Sequence, residues 1–428
     1  MDRRSMLWGA AGAGLLAGSW PAMAAGQTGR LRRPVSSLSP NDPDIEALRQ
    51  AIPLLRRSGA WDAQVALHAD MRHRHHSSWR FLPWHRLQLV WFERHVARAS
   101  GKADFALPYW DWDDDRIPDL FFDDDVFYVP GREARPDETI SEFMRRNGQR
   151  FTGRLSDDFA TFFGRPRGLA DPTDGDLGRR YYSGSGEWSG HNLIHGFVGG
   201  DMGRLDRSPN DPVFWMHHAN IDRIWAAWQD RHSGQTYPRA WRDEMLGGFL
   251  DPDGRMVPPT PAAGTLDTAT FGYRYQIDPT PPIVFAPAPG QPFKRQRRST
   301  YSWSMQRMGP GSAFVEISRS LARGRAESAT GYLELIPDPH AASMVTLTAR
   351  DLSDGSEVFR DAVFLVPMGH AMGSQNYRMR MDSLWSGGDP AGTVRLEIEA
   401  APLVGRRAGD MPTTLVEFVL DADLVFTD

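Results

Sequence analysis

The sequence predicts two folded parts: a mainly α-helical, loop-rich domain at residues 25–276 and an antiparallel β-sandwich domain at residues 299–428. Three observations support this division. Apolar residues recur at helical spacing in the first part, and they alternate with polar residues in the last third of the chain. A Pro-rich segment at 277–298 lies between the two and is expected to be a stiff linker. A chain of 428 residues is long enough for both domains.

Several segments of the first domain have the sequence features of helices. A cap residue and a first-turn proline at 41–43 predict a helix start there, and apolar residues follow at helical spacing. The acidic segment 113–180, with many Asp and Gly residues, is expected to form mainly loops. Further helices are predicted at 61–71, 87–99, 192–198 and 213–230.

The last third of the chain has the period-two pattern of strands. In 394–399 the residues Val, Leu and Ile alternate with Arg and Glu. The segments 344–348 and 415–419 have a similar apolar content, and Asp-Gly and Gly-Gly pairs at 354–355 and 387–388 are turn signals. This spacing predicts an antiparallel β-sandwich.

The first 24 residues are expected to be an export signal that is removed from the mature chain. Arg3 and Arg4 precede a short apolar run rich in Gly and Ala, and Ala-Met-Ala at 22–24 resembles a cleavage site. This pattern is typical of twin-arginine signals, which carry folded proteins. An ordinary secretory signal or a short uncleaved anchor is the alternative, and the run is too short to span a bilayer well. We therefore expect a periplasmic or secreted protein, with the export machinery as a partner and no membrane span.

The composition excludes several classes of function. The 49 basic and 54 acidic residues give a net charge of −5, which is too balanced for an electrostatic nucleic-acid binder. The chain has no cysteine, which excludes disulfides, thiolate zinc sites, iron–sulfur clusters and cysteine nucleophiles. Any metal site must therefore use His, Asp, Glu or Met side chains.

The histidines are concentrated in two segments, with six of the 13 at 68–95 and four at 191–218. His191 and His195 have the spacing that places two side chains on one helix face. His218, on another predicted helix, could complete a three-imidazole site. Imidazole ligands suit zinc, copper, iron and nickel, and the bridging carboxylates of dinuclear hydrolases are not interleaved with these histidines. The spacing alone predicts a dicopper or dizinc site and leaves the two open.

The residues around the first histidine cluster resemble the first copper motif of the tyrosinase and polyphenol oxidase family. That motif is matched by His-Ser-Ser-Trp-Arg-Phe-Leu-Pro-Trp-His-Arg at 76–86, with Phe-Glu-Arg at 92–94. Leu-Pro-Tyr-Trp-Asp-Trp at 107–112 is similar to the next landmark of the family.

The second histidine cluster resembles the second copper motif of the same family. His-Asn-Leu-Ile-His at 191–195, Gly-Gly-Asp-Met-Gly at 199–203 and the segment 210–223 match it. Phe-Gly-Tyr-Arg-Tyr at 271–275 is similar to the Tyr-x-Tyr motif that closes the catalytic domain of plant-type members. The resemblance covers roughly residues 30–276, while the β domain matches only in position and general texture.

The resemblance implies a four-helix bundle that holds a dinuclear copper site and uses O2 as co-substrate. The first copper would be bound by His76 and His85, nine residues apart as in the family, and by an upstream histidine. His68 fits this third position best, while His73 and His75 compete for it.

The second copper would be bound by His191, His195 and His218. Of the adjacent pair of histidines the family uses the second, so His217 is expected to pack beside the site. His95 is expected on a surface or packing face.

The resemblance further implies a copper-dependent phenol oxidase that converts o-diphenols, and monophenols as well, to o-quinones, with a small phenolic molecule as substrate. A catechol or aminophenol oxidase without monophenol hydroxylation is the alternative within the fold. An O2-binding protein like hemocyanin is the alternative from another class, and a dizinc hydrolase is a third. The identity of the phenol, the oligomeric state and the need for a copper chaperone stay open.

Two residues match positions that handle a water molecule in the family. Glu187 lies four residues before His191, where plant-type members have a water-holding glutamate. Asn192 follows His191 directly, as does the asparagine that orients the same water. Together they would help a phenol to lose its proton. The alternative is that Glu187 only pairs with an arginine and Asn192 only packs its helix.

Other residues are expected to shape the surroundings of the coppers. Leu205 matches the position where plant-type members often have a bulky Phe gate, so it would widen access. Phe214 is expected to pack between the ligand helices. Asp211 and Asp222 are expected to orient imidazoles or arginines, with a surface salt bridge as the alternative for Asp222.

The chain also departs from the family and extends beyond its catalytic domain. Without cysteine it cannot form the histidine–cysteine thioether of many members. The β domain resembles in position the shielding domain of latent plant-type enzymes, and the basic segment 294–298 is a predicted cleavage site; a permanent stabilising domain is the alternative. Met368, Met372, Met379 and Met381 could hand over copper(I), although methionine is more often core filler.

Overall fold

The computed structural model describes most of the helical domain and most strands of the β domain. The leader at 1–24, Glu187, most of the predicted linker, the Met368–Met372 segment and most of the strand predicted at 415–419 lie outside the described residues. The described residues are 29–73, 75–76, 80–147, 190–231, 237, 239–276, 296–309, 311–321, 326–335, 343–365, 375–381, 383–386, 389, 391–402 and 419–427.

The helical domain confirms the helices that the apolar spacing predicts. Two short strand pairs belong to this domain. At its two ends β1 (Arg30–Arg32) runs parallel to β4 (Tyr273–Tyr275), and after the last long helix β2 (Met245–Leu246) runs antiparallel to β3 (Thr260–Pro261). The helices of this domain are α1 (Pro43–Ser58), α2 (Ala60–Ala69), α3 (Phe81–Ser100), α4 (Leu120–Asp123), α5 (Ile140–Arg146), α6 (Asn192–Val198), α7 (Val213–Arg231) and α8 (Arg239–Arg242).

The ends of these helices follow local chemistry. Asp42 caps α1 by accepting the backbone N–H of Asp44 at 3.0 Å, and Gly59 ends the helix in the left-handed region at φ 76°. Helix α3 begins at Phe81, earlier than the predicted start at 87. Pro83 lies in its first turn, where the backbone N–H has no helical partner, so the proline does not delay the helix.

Aromatic residues fill the core between α3 and α7. The rings of Phe92 and Trp215 stack with centroids 3.7 Å apart, and Trp61 meets them edge-on at 5.8 and 6.0 Å. Rings of this size bury a large apolar area in defined geometry. They therefore fix the two helices that carry His85 and His218.

Asp222 is the centre of a buried polar network behind this core. Its carboxylate accepts hydrogen bonds from Arg86 Nε at 2.5 Å, from the Tyr273 hydroxyl at 2.6 Å and from the Tyr275 hydroxyl at 2.7 Å, and Arg32 lies at 3.3 Å. Burial opposes the charge, but the two arginines and the two hydroxyls hold the Asp222 pKa below its ordinary value. The alternative of a surface salt bridge is wrong, because Asp222 is only 3% exposed.

The β domain consists of two antiparallel sheets, as its period-two pattern predicts. The strands are β5 (Gln296–Ser304), β6 (Gln306–Gly309), β7 (Ser312–Ser318), β8 (Ala326–Leu335), β9 (Ser343–Asp351), β10 (Glu357–Leu365), β11 (Gln375–Arg380), β12 (Thr393–Pro402) and β13 (Val419–Thr427). The strand orders are β10-β9-β12-β7-β6 and β11-β8-β13-β5. In the first sheet Val394, Leu396 and Ile398 are fully buried, while the charged residues between them point away from the core. A short helix, α9 (Ser383–Ser386), follows β11.

The predicted linker boundary at 298 needs correction. Strand β5 begins at Gln296, and residues 296–298 pair with Thr427, Phe426 and Val425 of β13. A basic run can form a strand when a neighbouring strand satisfies its backbone hydrogen bonds. The last three residues of the predicted cleavage site at 294–298 therefore belong to the sheet.

The β domain packs on the helical domain beside α6. Met344 of β9 belongs to the same apolar core as Leu193 and Phe197 of α6, and Ala362 of β10 packs against this core. The strands thus cover the helix that carries His195. Within the described part of the chain, no helix is long and apolar enough to cross a bilayer.

Candidate metal centre

Two groups of four histidines converge inside the helical domain. Within each group, ligand nitrogens from all four residues lie within 4.8 Å of one another. All eight side chains are buried, at 5% exposure or less. The first cluster consists of His68, His75, His76 and His85, and the second consists of His191, His195, His217 and His218.

The helices place these histidines where their nitrogens meet. His68 lies in the last turn of α2 and His85 near the start of α3, while His76 lies in the segment between them. His195 lies in α6, and its partner His191 directly precedes the helix.

Helix α7 completes the second cluster with His217 and His218. Adjacent residues on a helix point in different directions. Accordingly, His218 Nε2 lies 3.3 Å from His191 Nε2, whereas His217 Nδ1 accepts a hydrogen bond from the indole N–H of Trp112 at 3.1 Å.

The backbone defines which nitrogen of three imidazoles is free. His68 Nδ1 donates to the Leu205 carbonyl at 2.9 Å, His85 Nδ1 to that of Phe81 at 2.7 Å, and His195 Nδ1 to that of Met202 at 2.7 Å. A carbonyl oxygen only accepts, so each Nδ1 must carry the proton. The Nε2 atom of these rings is then an unprotonated donor for a metal.

Two of these Nε2 atoms lie close to the Nε2 atom of a neighbouring imidazole. The Nε2 atoms of His68 and His76 are 3.0 Å apart, and those of His191 and His195 are 2.9 Å apart. His85 Nε2 is buried and has no hydrogen-bond partner among the described residues. A metal ion bound between these nitrogens would satisfy the buried lone pairs of His68, His85 and His195, which are unfavourable in a dry site without a partner. An all-imidazole donor set of this kind fits copper.

Burial keeps the imidazoles neutral, as metal ligands must be. It lowers the pKa of His195 to about 3, and it lowers the pKa of His68, His85 and His218 well below the ordinary value. Neighbouring imidazoles lower the pKa of these residues further. Each therefore presents a lone pair at neutral pH.

The two clusters face each other directly. The rings of His85 and His218 stack with centroids 4.4 Å apart and 13° between their planes, and His76 lies 6.0 Å from His191. Phe214 contacts both clusters, with its ring centroid 4.2 Å from that of His218 and 4.9 Å from that of His68. The arrangement suits two metal ions that share one small ligand.

The other predicted residues lie around this centre in different ways. Asn192 is fully buried at the first position of α6. Leu205, matched to a gate position, is only 2% exposed, and its carbonyl accepts from His68. Glu187 lies outside the described residues.

Asp211 contacts an arginine and not an imidazole. Its carboxylate binds Arg132 at 2.7 and 3.0 Å and accepts the Val213 N–H at 2.9 Å, which positions the start of α7. Of the two kinds of partner expected for Asp211, imidazoles or arginines, the structure shows an arginine, Arg132.

The sequence interpretation underestimated His75 and Trp112. His75 belongs to the first cluster and stacks on Trp84 at 3.9 Å. Trp112 bonds His217, and its place in the 107–112 motif was the available signal. His73 is not part of the cluster, and His95 packs with its Nε2 at 3.1 Å from the Leu250 carbonyl.

Known proteins are similar to this chain in two respects: the sequence around the histidine clusters and the fold. The family described as the common central domain of tyrosinase matches residues 58–167 and 151–231. A tyrosinase of Streptomyces glaucescens is 33% identical over 279 residues, which cover 53% of this chain and 93% of that protein.

Solved structures show the same fold. Latent apple tyrosinase aligns with a TM-score of 0.66 at 18% identity and covers 94% of this chain and 97% of its own. A functional unit of octopus hemocyanin aligns with a TM-score of 0.53 at 18% identity and covers 91% and 99%. Because the Streptomyces relative is matched over nearly its whole length, and because two buried histidine clusters face each other as a dinuclear copper site requires, this chain belongs to the tyrosinase family as a dicopper oxidoreductase of the tyrosinase and catechol oxidase type.

Proposed function

We propose that this dicopper phenol oxidase uses O2 to convert o-diphenols to o-quinones and also hydroxylates small monophenols. The stacked pair His85 and His218 carries the proposal, because it sets two imidazole clusters against each other at 4.4 Å. Copper bound in both clusters would supply the electrons that O2 accepts.

The proposed ligands of the first copper are His68, His76 and His85. The short separation between the Nε2 atoms of His68 and His76 supports this set, as does the unpartnered Nε2 of His85. His73 is left out because it does not reach the cluster.

The proposed ligands of the second copper are His191, His195 and His218. The Nε2 atom of His191 lies 2.9 Å from that of His195 and 3.3 Å from that of His218. His217 is left out because its Nδ1 accepts the indole N–H of Trp112, so the proton of the neutral ring is on Nε2 and leaves no lone pair there for a metal.

Asn192 and Glu187 are proposed to hold the water that takes the proton of a bound phenol. Asn192 is fully buried and follows His191 directly in the chain, and its match to the family's water-orienting asparagine supports this role. Glu187 would accept the proton through this water. Leu205 would leave the substrate entrance wider than a Phe would.

Oxygen uptake by copper-loaded protein tests this proposal. Catechol and then a monophenol are supplied, and Asn192→Ala is compared with wild type. We expect uptake with both substrates in wild type and loss mainly of the monophenol reaction in Asn192→Ala. Asn220→Ala is the matched control, because Asn220 is a buried asparagine whose amide accepts from Arg223 instead.

The outcomes separate the rival functions. Uptake with catechol alone would make the protein a catechol oxidase and remove the proposed role of Asn192 and Glu187. Reversible O2 binding without turnover would favour an O2-binding protein, which the hemocyanin-like fold also allows.

The β domain is proposed to act as a lid over the copper centre. Its strands pack beside α6, which carries His195, and the similar apple tyrosinase structure is of a latent form. Cleavage within 277–295 is expected to raise oxygen uptake. An unchanged rate after complete cleavage would make the domain a permanent stabilising element.

Export by the twin-arginine route is also proposed, with the export machinery as a partner and a periplasmic or secreted location. Paired Arg3 and Arg4 before the apolar run support it. Replacement of both arginines by lysine should keep the protein in the cytoplasm. Export of this variant at the normal rate would favour an ordinary secretory signal.

A further inference from the structure

The first cluster contains one more imidazole than a three-histidine copper site needs. His75 is fully buried, and its ring centroid lies 4.5 Å from that of His76, 5.2 Å from that of His68 and 5.4 Å from that of His85. It is not among the ligands proposed above, so its presence in the cluster calls for a separate explanation.

The protonation state of His75 follows from the polar contact of its Nε2 atom. Its Nε2 lies 2.9 Å from the His68 carbonyl, which only accepts, so Nε2 carries the proton. The other nitrogen, Nδ1, then has a lone pair and has no hydrogen-bond partner among the described residues. A buried nitrogen without a partner is unfavourable, but it can bind a metal ion.

His73 continues this line of imidazoles towards the protein surface. Its side chain is 22% exposed, and its ring centroid lies 6.2 Å from that of His75. Both rings lie against Trp84, which stacks on His75 at 3.9 Å and meets His73 at 5.7 Å. The aromatic face thus lines a path of two imidazoles from solvent to the first cluster.

The backbone makes room for His73. A Cβ atom at Gly248 would lie 2.4 Å from His73 Cε1, and Gly248 has a φ of 98°, which favours glycine. The ring of His73 therefore occupies a space that a larger residue at 248 would close.

We propose that His73 and His75 form a copper-loading relay that passes copper from solvent to His68, His76 and His85. The ion moves by ligand exchange: a bond to the nitrogen of the next imidazole forms as the bond to the previous one breaks. The oxidation state of the copper does not change. His75 then releases the ion to the three ligands, which bind it more tightly together than one imidazole does. The relay rests on the ligand set proposed above.

The rate of copper uptake by metal-free, full-length protein tests the relay. Copper(I) is supplied anaerobically, bound copper is measured over time, and copper per chain is measured at the end. His75→Phe keeps a ring against Trp84 but removes the donor nitrogen, and we expect uptake by the first cluster to slow about tenfold. His73→Leu is expected to slow it less, with catechol oxidation by the loaded enzyme unchanged.

His95→Gln is the matched control, because His95 is a buried histidine that also contacts a backbone carbonyl but belongs to neither cluster. Its uptake should equal that of wild type. Slow uptake that still ends at two coppers per chain would support the relay in either test variant.

Two results would overturn the proposal. Wild-type uptake in both His75→Phe and His73→Leu would make the two residues packing elements. A final content of one copper in His75→Phe would make His75 a resident ligand. If His75→Phe does not fold, His73→Leu decides alone. Because the readout is bound copper, failure of the relay is distinct from failure of phenol oxidation.

Discussion

The two histidine clusters face each other, but they are built in different ways. In the second cluster the histidines lie in or directly before helices, with His191 and His195 one turn apart. In the first cluster His68 and His85 belong to different helices and His76 lies in the segment between them. Helix packing alone therefore places the second set of donors, while the first set depends on contacts made by a connecting segment.

One loop partly compensates for this difference. The segment between α6 and α7 presents the Met202 carbonyl to His195 at 2.7 Å and the Leu205 carbonyl to His68 at 2.9 Å. The same short stretch of backbone thus orients one imidazole in each cluster. The two clusters therefore differ in local construction, but the same loop orients an imidazole in each of them.

Removal of a proposed ligand should have the largest effect and tests the helix-built cluster directly. We expect His218→Ala to lose one copper and to slow catechol oxidation roughly a thousandfold or more, because the Nε2 of His218 faces that of His191, whereas the Nδ1 of His217 accepts from Trp112. His217→Ala is the matched control and should keep two coppers. Equal copper loss in both variants would show that the adjacent pair is misassigned. Copper content and oxygen uptake are the measurements.

Asp222 joins the helix of one cluster to the helix of the other, so its removal should affect both alike. Asp222→Asn leaves Arg86 and Arg32 buried with weakened partners, and we expect a loss of about 3–5 kcal/mol in unfolding free energy. Asp253→Asn, at an exposed ion pair, should change it by less than about 1 kcal/mol. Urea unfolding measures both. A loss no larger than that of Asp253→Asn would mean that the network contributes little.

Acid should destabilise the metal-free protein through both clusters. The folded-state pKa of His195 is about 3 against an ordinary value of 6.5. Between these values the unfolded state binds more protons than the folded state, so stability falls as the pH drops below 6.5. We expect His195 alone to contribute a loss of about 2 kcal/mol between pH 7 and pH 5.

Urea unfolding of metal-free protein at these two pH values measures this loss. The variant His195→Phe, which does not titrate, should reduce the pH dependence by that amount. An undiminished dependence in His195→Phe would contradict the assignment.

The smallest expected effect concerns the hydrogen bond between Trp112 and His217, which is specific to the second cluster. Trp112→Phe removes the hydrogen bond to His217 and should cost about 1 kcal/mol of stability. Copper content of both sites should be unchanged, since neither residue is a proposed ligand. Thermal unfolding and copper analysis check this prediction. Loss of the second copper would show that His217 must be held in place for the site to form.

The sequence predicted the second cluster more completely than the first. Two histidines at helical spacing and an adjacent pair on a later helix need only local geometry to be interpreted. In the first cluster the choice among His68, His73 and His75 depended on where α2 ends and how the chain turns towards α3. Helix spacing does not contain that information.

The residues at which helices and strands begin, and the buried polar contacts, could not be predicted from the sequence pattern either. Helix α3 begins at Phe81 and not at 87, with Pro83 in its first turn, and the basic run at 296–298 was assigned to a linker although β13 provides a partner strand for it. Asp222 was left between a buried and a surface role, since its four partners come from distant parts of the chain.

The amino-acid sequence by itself determined the two-part architecture and the two histidine clusters, because periodicity and residue spacing are local properties, and its resemblance to the family indicated copper as the metal. Only the tertiary structure decided which nitrogen of each imidazole is free, that His75 joins the first cluster and that one loop orients both sites. These features depend on contacts such as that between His68 and Leu205, residues that are far apart in the chain and meet only when the helices pack.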